Sequence, residues 1–445
     1  MSPNLEKNSS LLQIDARTKR RNAAEKRFKT YGLGAIVIAM VALVVLLTSV
    51  VVNGSGAFRQ TYITLDIPLP EDRLDKSGVR DPEVMAKVTT IGYAPVLRDA
   101  LVQTIAEAGI TTELSDKDVG DLISKEAAAT VRNRVLANPD LVGQTVEFNI
   151  LASGRIDGYF KGRVTMESAA LDTNTSPEAL QLADALAERG IMETRFNWRF
   201  LTAPDASDQR PEAAGLGVAI LGSLYMMLVV LVLAVPIGVA SSIYLEEFAP
   251  KNRWTDVIEV NISNLAAVPS IVYGILGLAI FINFMAFNQS SPLVGGLVLT
   301  LMTLPTVIIS TRAALKSVPP SIRDAALGVG ASKMQSVFHH VLPLAAPGIL
   351  TGTIIGLAQA LGETAPLLLI GMVAFVREYP AAFSSEAGLF GEASTALPVQ
   401  VFNWTQRSDP GFVERASGAI ITLLVFLLIM NAVAIYLRRR FEQRW

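Results

Sequence analysis

The sequence predicts an all-α polytopic membrane protein with six transmembrane helices and an inserted α+β extracytoplasmic domain. Three observations carry this. Of 445 residues, 51% are hydrophobic and 18% charged, with a mean hydropathy of +0.41; soluble domains carry about a quarter charged residues. Apolar runs of about 20 residues, enough to cross the hydrocarbon core, recur along the chain. Between them, residues 55–212 hold 25 acidic against 17 basic residues, a net of −8, and read as a segment folded in water.

Residues 1–30 are polar and basic, with Arg17, Lys19, Arg20, Arg21, Lys26, Arg27 and Lys29 among them, and read as a disordered cytoplasmic tail. Tyr31 to Val52 is nearly all apolar and gives a transmembrane helix over 31–54. A signal peptide has a shorter core of about 7–15 residues, which argues against cleavage near Ser55-Gly56-Ala57. The positive-inside rule places the tail in the cytoplasm and Asn53 outside.

The 55–212 segment reads as a periplasmic α+β insertion. Helices are expected over Ser115–Leu136 and from Ser176-Pro177-Glu178 to Arg189-Gly190, the latter with an N-cap, an N1 proline and a terminal glycine. Strands are expected over Gln144–Leu151, Gly158–Val164 and Glu193–Leu201, the first two joined by a turn at Ser153–Gly158. Its carboxylates are scattered, and no catalytic constellation emerges.

Residues 213–445 hold five further spans. The second runs from Gly215 to Tyr244, broken at Pro236-Ile237-Gly238, and ends in a polar turn, Glu246 to Arg253. The third covers Ile262–Phe287, the fourth Pro292–Ile309, the fifth Leu344 to about Val376, and the sixth Ala416–Leu437, before Arg438-Arg439-Arg440. Six crossings return the chain to the side it started from, and both ends are basic. Both termini are therefore expected in the cytoplasm.

A polar island, Ser321 to Pro343, interrupts the apolar spans. It reads as two short helices meeting at a glycine, with capping boxes at Ser321/Asp324 and Ser332/Gln335. Ala325 and Ala326 leave one side bare, and Gly328 and Gly330 permit a bend. A small-sided, bent helix pair suits a groove on another protein. Arg312, Lys316, Arg323 and Lys333 flank it and read first as a positive-inside signal.

Asp324-Ala325-Ala326, Gly330 four residues on, and Leu342-Pro343 resemble the Glu-Ala-Ala loop of bacterial ABC importer permeases, with Asp for the usual Glu and His340 where an apolar residue is usual. The resemblance implies that this segment, within a loop over 316–343, docks into the cytoplasmic ATPase. It makes the fold one of ABC importer permease type in a bacterial inner membrane. No Gly-x-x-x-x-Gly-Lys-Ser/Thr loop occurs, so the energy is expected from a separate subunit and the chain is not expected to be an enzyme.

No cysteine exists, which excludes disulfides, thiolate metal sites and cysteine nucleophiles. The two histidines, His339 and His340, are adjacent in the polar island and read as helix surface. No cofactor or metal is expected, and no nucleic-acid partner.

Glu363 lies inside the fifth apolar span, where a carboxylate costs about 2.5–3.5 kcal/mol and should face a partner or a wet pathway. Prolines 236, 269, 305 and 366 interrupt four spans, as at a cavity or gate. Pro269-Ser270-Ile271-Val272-Tyr273-Gly274, Gly362-Glu363-Thr364-Ala365-Pro366 and Leu397-Pro398-Val399-Gln400-Val401-Phe402-Asn403-Trp404 resemble the phosphate-specific branch of these permeases. Gln359 stands where that branch often has Arg. The resemblance implies a translocation pathway lined by Ser270, Tyr273, Glu363 and Thr364. It also implies a second permease subunit, a homodimeric ATP-binding subunit and a periplasmic phosphate-binding protein, all beside membrane lipid. Two rival readings stand: a permease for molybdate or sulfate, and a membrane-anchored sensor.

Overall fold

The computed structural model describes residues 16–75, 78–373 and 375–441. Helix α1 (Ala16–Gly54) is continuous, so residues 16–30 are helical rather than the disordered tail expected; residues 1–15 lie outside the described residues. Good helix formers occupy Ala23 to Lys26, and Glu25 pairs with Lys29 one turn on at 2.6 Å.

Beyond Asn53, a single turn at Ser55–Phe58 feeds β1 (Arg59–Pro68). Its buried residues alternate: Ile63, Leu65 and Ile67 point into the core while Asp66 faces water. This strand, not foreseen from the sequence, is the centre of an antiparallel sheet ordered β2-β1-β3, with β2 (Thr145–Leu151) and β3 (Met192–Phe196) as its edges. Ile63 lies opposite Ile150 on one side and Met192 on the other. Helices α2 (Thr90–Glu107), α3 (Ala127–Ala137) and α4 (Pro177–Glu188) share its core through Leu97, Leu101, Val131, Leu182 and Leu186.

Three expectations in this lobe are corrected. Ser115 caps only the turn Asp116–Gly120, and the helix restarts at Ala127. Gly158–Val164 is not a strand: Gly154–Phe160 is helical and Gly162 turns the chain at φ +76°. The third strand stops at Phe196, because the Asn197 side chain accepts the Phe200 N–H and starts a new helical turn, Trp198–Thr202.

Helix α5 (Gly217–Ile243) runs unbroken through Pro236 and widens into a π turn, Tyr244–Phe248. The expected third span is instead two arms, α6 (Arg253–Ala266) and α7 (Ser270–Gly277), the latter prolonged to Phe284. They meet at 99° beside Pro269. Proline disfavours helical geometry in the residue before it, which separates the arms.

Then follow α8 (Pro292–Lys316), α9 (Pro320–Gly328), α10 (Leu342–Gly362), α11 (Ala365–Leu369), α12 (Leu397–Thr405) and α13 (Pro410–Phe441). Met226 and Val230 of α5, Val298 and Met302 of α8, and Leu357 and Leu361 of α10 share one core. Among the described residues, five helices are long and apolar enough to cross a membrane, or six if the bent α6–α7 pair is one span.

Candidate functional site

The polar island begins where two prolines end α8. Pro319 caps α9 and Pro320 takes its first position, where a missing N–H costs nothing. Ser321 therefore sits inside the helix, and the expected Ser321/Asp324 capping box does not form. The Ser332/Gln335 box does form, the Ser332 hydroxyl accepting from the Gln335 N–H and the Gln335 amide oxygen accepting from the Ser332 N–H at 2.8 Å. Between them Gly330 stands at φ +89° and makes the bend.

The two faces of the bent pair differ. Ala326 is buried, at 5% exposed, and on the same segment Ile322 and Leu342 pack on a core of Leu315, Val318, Val337 and Val341. Pro343 lies in the first turn of α10. Asp324, Ala325, Leu327 and Val329 are exposed, and the Asp324 carboxylate has no partner among the described residues. Of the six predicted docking residues, Asp324, Ala325 and Gly330 thus lie on the outer side of the bend, and Ala326, Leu342 and Pro343 support it. His339 and His340 are exposed, as expected.

What fastens this segment is Arg323. Its guanidinium donates to Glu247 at 2.6 and 3.1 Å, to the Leu315 carbonyl at 2.9 Å and to the Val318 carbonyl at 2.8 Å. The first contact ties α9 to the π turn after α5, and the other two satisfy the Leu315 carbonyl in the last turn of α8 and the Val318 carbonyl just beyond its end. Beside it Arg312 pairs with Glu259 of α6 at 2.6 Å and donates to Glu246 at 3.4 Å, and Lys316 stands 3.5 Å from Glu246. Three of the flanking cations thus have carboxylate partners within the chain, and the fourth, Lys333, lies over the Phe248 ring at 5.5 Å. The signal missed in the sequence was Glu246-Glu247, two carboxylates at the end of an apolar span.

The fifth span does not run on to Val376. Helix α10 ends at Gly362, and Glu363 leaves helical geometry at φ −78°, ψ 130°. Glu363 is half-buried, and its carboxylate has no hydrogen bond or ion pair among the described residues. Thr364 precedes α11, and Pro366 of α11 packs on Gly274 of α7. A Cβ on Gly274 would stand 2.7 Å from the Pro366 Cα, so only glycine allows this approach.

Tyr273, on the same arm, is 3% exposed and donates its hydroxyl to the Leu265 carbonyl at 2.7 Å, which ties the two arms of the bend. Ser270 opens α7 and is half-buried. The structure thus brings the helix that carries Ser270 and Tyr273 against the break that carries Glu363 and Thr364. Gln359 is exposed on α10.

The third motif acts as a bracket. Gln400 and Trp404 of α12 donate to Asp205 at 3.0 and 2.9 Å, and Arg407 adds contacts at 2.6 and 3.2 Å. Asp205 is 7% exposed, so four charge-assisted bonds hold the segment entering α5. A second weld joins the sheet-bearing lobe to α13. Lys161 bridges Asp157 at 2.6 Å and Glu414 at 3.0 Å, and Arg163 meets Glu414 at 2.6 Å. Burial lowers the Lys161 ammonium against the pull of Asp157 and Glu414.

Two family models match the chain. One, a domain of unknown function (DUF3333), matches residues 15–170; the other, described as the binding-protein-dependent transport system inner membrane component, matches residues 234–445. A probable ABC transporter permease protein, YqgI, of Bacillus subtilis is 30% identical over 55% of this chain and 84% of its own length. The phosphate transport system permease protein PstA of Mycobacterium leprae is 32% identical over 56% of this chain and 79% of its own. Its counterpart in Xylella fastidiosa is 30% identical over 52% and 77%. A bent polar helix pair between apolar helices, matched by permeases over most of their length, settles the family: the chain belongs to the inner membrane components of binding-protein-dependent ABC transport systems.

Proposed function

We propose that the chain is the transmembrane permease subunit of an ATP-driven importer of inorganic phosphate. The observation that carries this is the likeness to permeases named for phosphate transport, 32% identical to the M. leprae protein over 79% of its length. In this reading residues 1–30 are a cytoplasmic tail, 31–54 the first crossing, 55–212 a periplasmic insertion and 213–445 the permease domain. The bent α6–α7 pair counts as one crossing, and both termini lie in the cytoplasm.

A second permease of the PstC type completes the pathway. An ATP-binding dimer of the PstB type receives the loop 316–343 through Asp324 and its exposed neighbours, and a periplasmic phosphate-binding protein delivers the substrate. Closure of the ATPase pulls on α9. Arg323 passes that pull to α5 and α8, and the attached helices reorient the cavity at Glu363. An unpartnered carboxylate would repel a bare anion. It accepts instead a hydrogen bond from a protonated phosphate oxygen, which sulfate lacks at neutral pH, or it balances an arginine of the second permease.

Uptake of labelled phosphate into vesicles holding the co-expressed complex tests this. Unlabelled phosphate should compete and sulfate and molybdate should not, and Glu363→Gln should lower uptake or widen the choice of anion. Competition by sulfate or molybdate equal to that by phosphate would overturn the substrate, and unchanged behaviour of Glu363→Gln would remove that residue from the pathway.

A further inference from the structure

The lobe leaves one aromatic patch uncovered. Phe196 ends β3 and Trp198 opens the next helical turn; their rings meet edge-on at 4.7 Å. They are nevertheless 49% and 68% exposed. Behind them Phe58 stacks on Phe196 at 6.4 Å and meets the fully buried Phe200 edge-on at 5.2 Å. The patch is thus the open end of an aromatic stack whose other end is sealed.

Its position is set by two membrane helices. Leu216 donates its N–H to the Phe200 carbonyl at 2.7 Å, and Gly217, the first residue of α5, donates to Ala203 at 2.9 Å. Arg415, just before the apolar run of α13, lies over the Phe200 ring at 5.2 Å. Trp198 therefore stands level with the ends of α5 and α13. At that depth tryptophan is favoured because its ring is apolar and its N–H is polar.

A cation completes the patch. Arg59 lies opposite Phe196 in the β1–β3 register, which puts both side chains on one face of the sheet. Arg59 is exposed, and its guanidinium has no hydrogen bond or ion pair among the described residues. A planar fork of donors beside two rings matches a phosphate group above an acyl boundary.

We propose that Arg59, Phe196 and Trp198 form a phospholipid-contact site that seats the lobe on the leaflet at its own side of the membrane. The rings lie at the boundary of headgroup and acyl chain, and Arg59 takes the lipid phosphate. The proposal rests on α5 and α13 crossing the bilayer and not on phosphate being the cargo, so the two readings fail separately.

The chain has no cysteine, so Trp198→Cys and Leu171→Cys each accept one nitroxide label; Leu171 is 90% exposed on the same lobe. The labelled chains, with their co-purifying subunits, are reconstituted in phosphatidylcholine–phosphatidylglycerol vesicles. The label at 198 should collide severalfold more often with dissolved oxygen than with a water-soluble nickel chelate, and the ratio should reverse at 171. A label at 198 as open to nickel as that at 171 overturns the proposal. A label that neither collider reaches also overturns it, because protein then covers the patch. Since the label replaces one of the rings, the intact patch is read by fluorescence: brominated lipids should quench the unaltered chain more than Trp198→Phe, and equal quenching overturns the proposal.

Discussion

Arg323 Nη2 lies 2.6 Å from Glu247 Oε1, and its Nε reaches the same oxygen at 3.1 Å. The Glu247 side chain is 6% exposed and that of Arg323 23%, so this is a largely buried pair between α9 and the π turn that ends α5. Arg323→Ala leaves that carboxylate alone and frees the carbonyls of Leu315 and Val318 at the end of α8, at a cost of about 3 kcal/mol, the lower end for breaking a buried pair. The expected outcome is a complex that still co-purifies and hydrolyses ATP at its basal rate, but with uptake and substrate-stimulated hydrolysis lost together. Arg323→Lys keeps the charge without the fork and should fall between. A variant that transports normally would show that α9 needs no such anchor.

Asp205 makes a sharper thermodynamic case. Asp205→Ala strands donors on Gln400, Trp404 and Arg407 at once, each worth about 1–3 kcal/mol when buried and unsatisfied, though less than additively. A loss of about 3–5 kcal/mol is expected, read as the unfolding midpoint of the detergent-solubilised chain. Asp208→Ala removes a 79% exposed partner of the same Arg407 at 2.9 Å and should change stability by less than about 1 kcal/mol. Equal shifts for the two variants would mean that the bracket around Asp205 has no special weight.

These two sites show what was legible in the sequence. The polar island, its Ser332 cap and its glycine bend are local features, set by residues within one turn of each other, and they read directly. So did the apolar runs that became α5, α8 and α13, whereas the third span proved to be two arms and the fifth stopped early. Glu247 and Asp205 did not read, because their partners are 76 and 202 residues away and nothing in either neighbourhood announces a pairing. The miss at Gly158–Val164 is of another kind: Gly-Tyr-Phe-Lys-Gly-Arg-Val mixes aromatic and basic residues in a run too short to show either period, so strand and helix fit equally well until its neighbours decide. The end of α10 at Gly362 was hidden because, Glu363 and Thr364 apart, Leu361 to Ile370 is apolar in composition whether the helix continues or breaks.

The two glycines at the end of α9 and the bend after it separate by conformation. Gly330 stands at φ +89°, whereas Gly328 ends α9 in helical geometry with open space where a Cβ would go. Gly330→Ala should cost about 1–2 kcal/mol locally, and Gly328→Ala should be neutral or gain about 0.5–1 kcal/mol. Amide hydrogen exchange over residues 320–336 measures both: faster exchange for the first, equal or slower for the second. The reverse order would remove the bend from Gly330.

Glu212 gives the lobe a pH dependence with a definite sign. It is 6% exposed, and Ser124 donates its hydroxyl to Oε1 at 2.5 Å. Burial pushes the carboxyl above the ordinary range, with the Ser124 bond pulling the other way. A pKa raised in the folded state favours folding while the group is protonated. The stabilisation is therefore complete below the ordinary value near ~4.3 and is lost as pH rises through the raised one. Glu212→Gln keeps the shape, stays neutral throughout, and should not show that decline. Unfolding midpoints of the two chains, measured at steps from about pH 4 to pH 8, should diverge as pH rises, with the Gln variant ahead at the upper end. Parallel curves would mean that Glu212 titrates alike in the folded and unfolded chain and that its burial carries no linked proton.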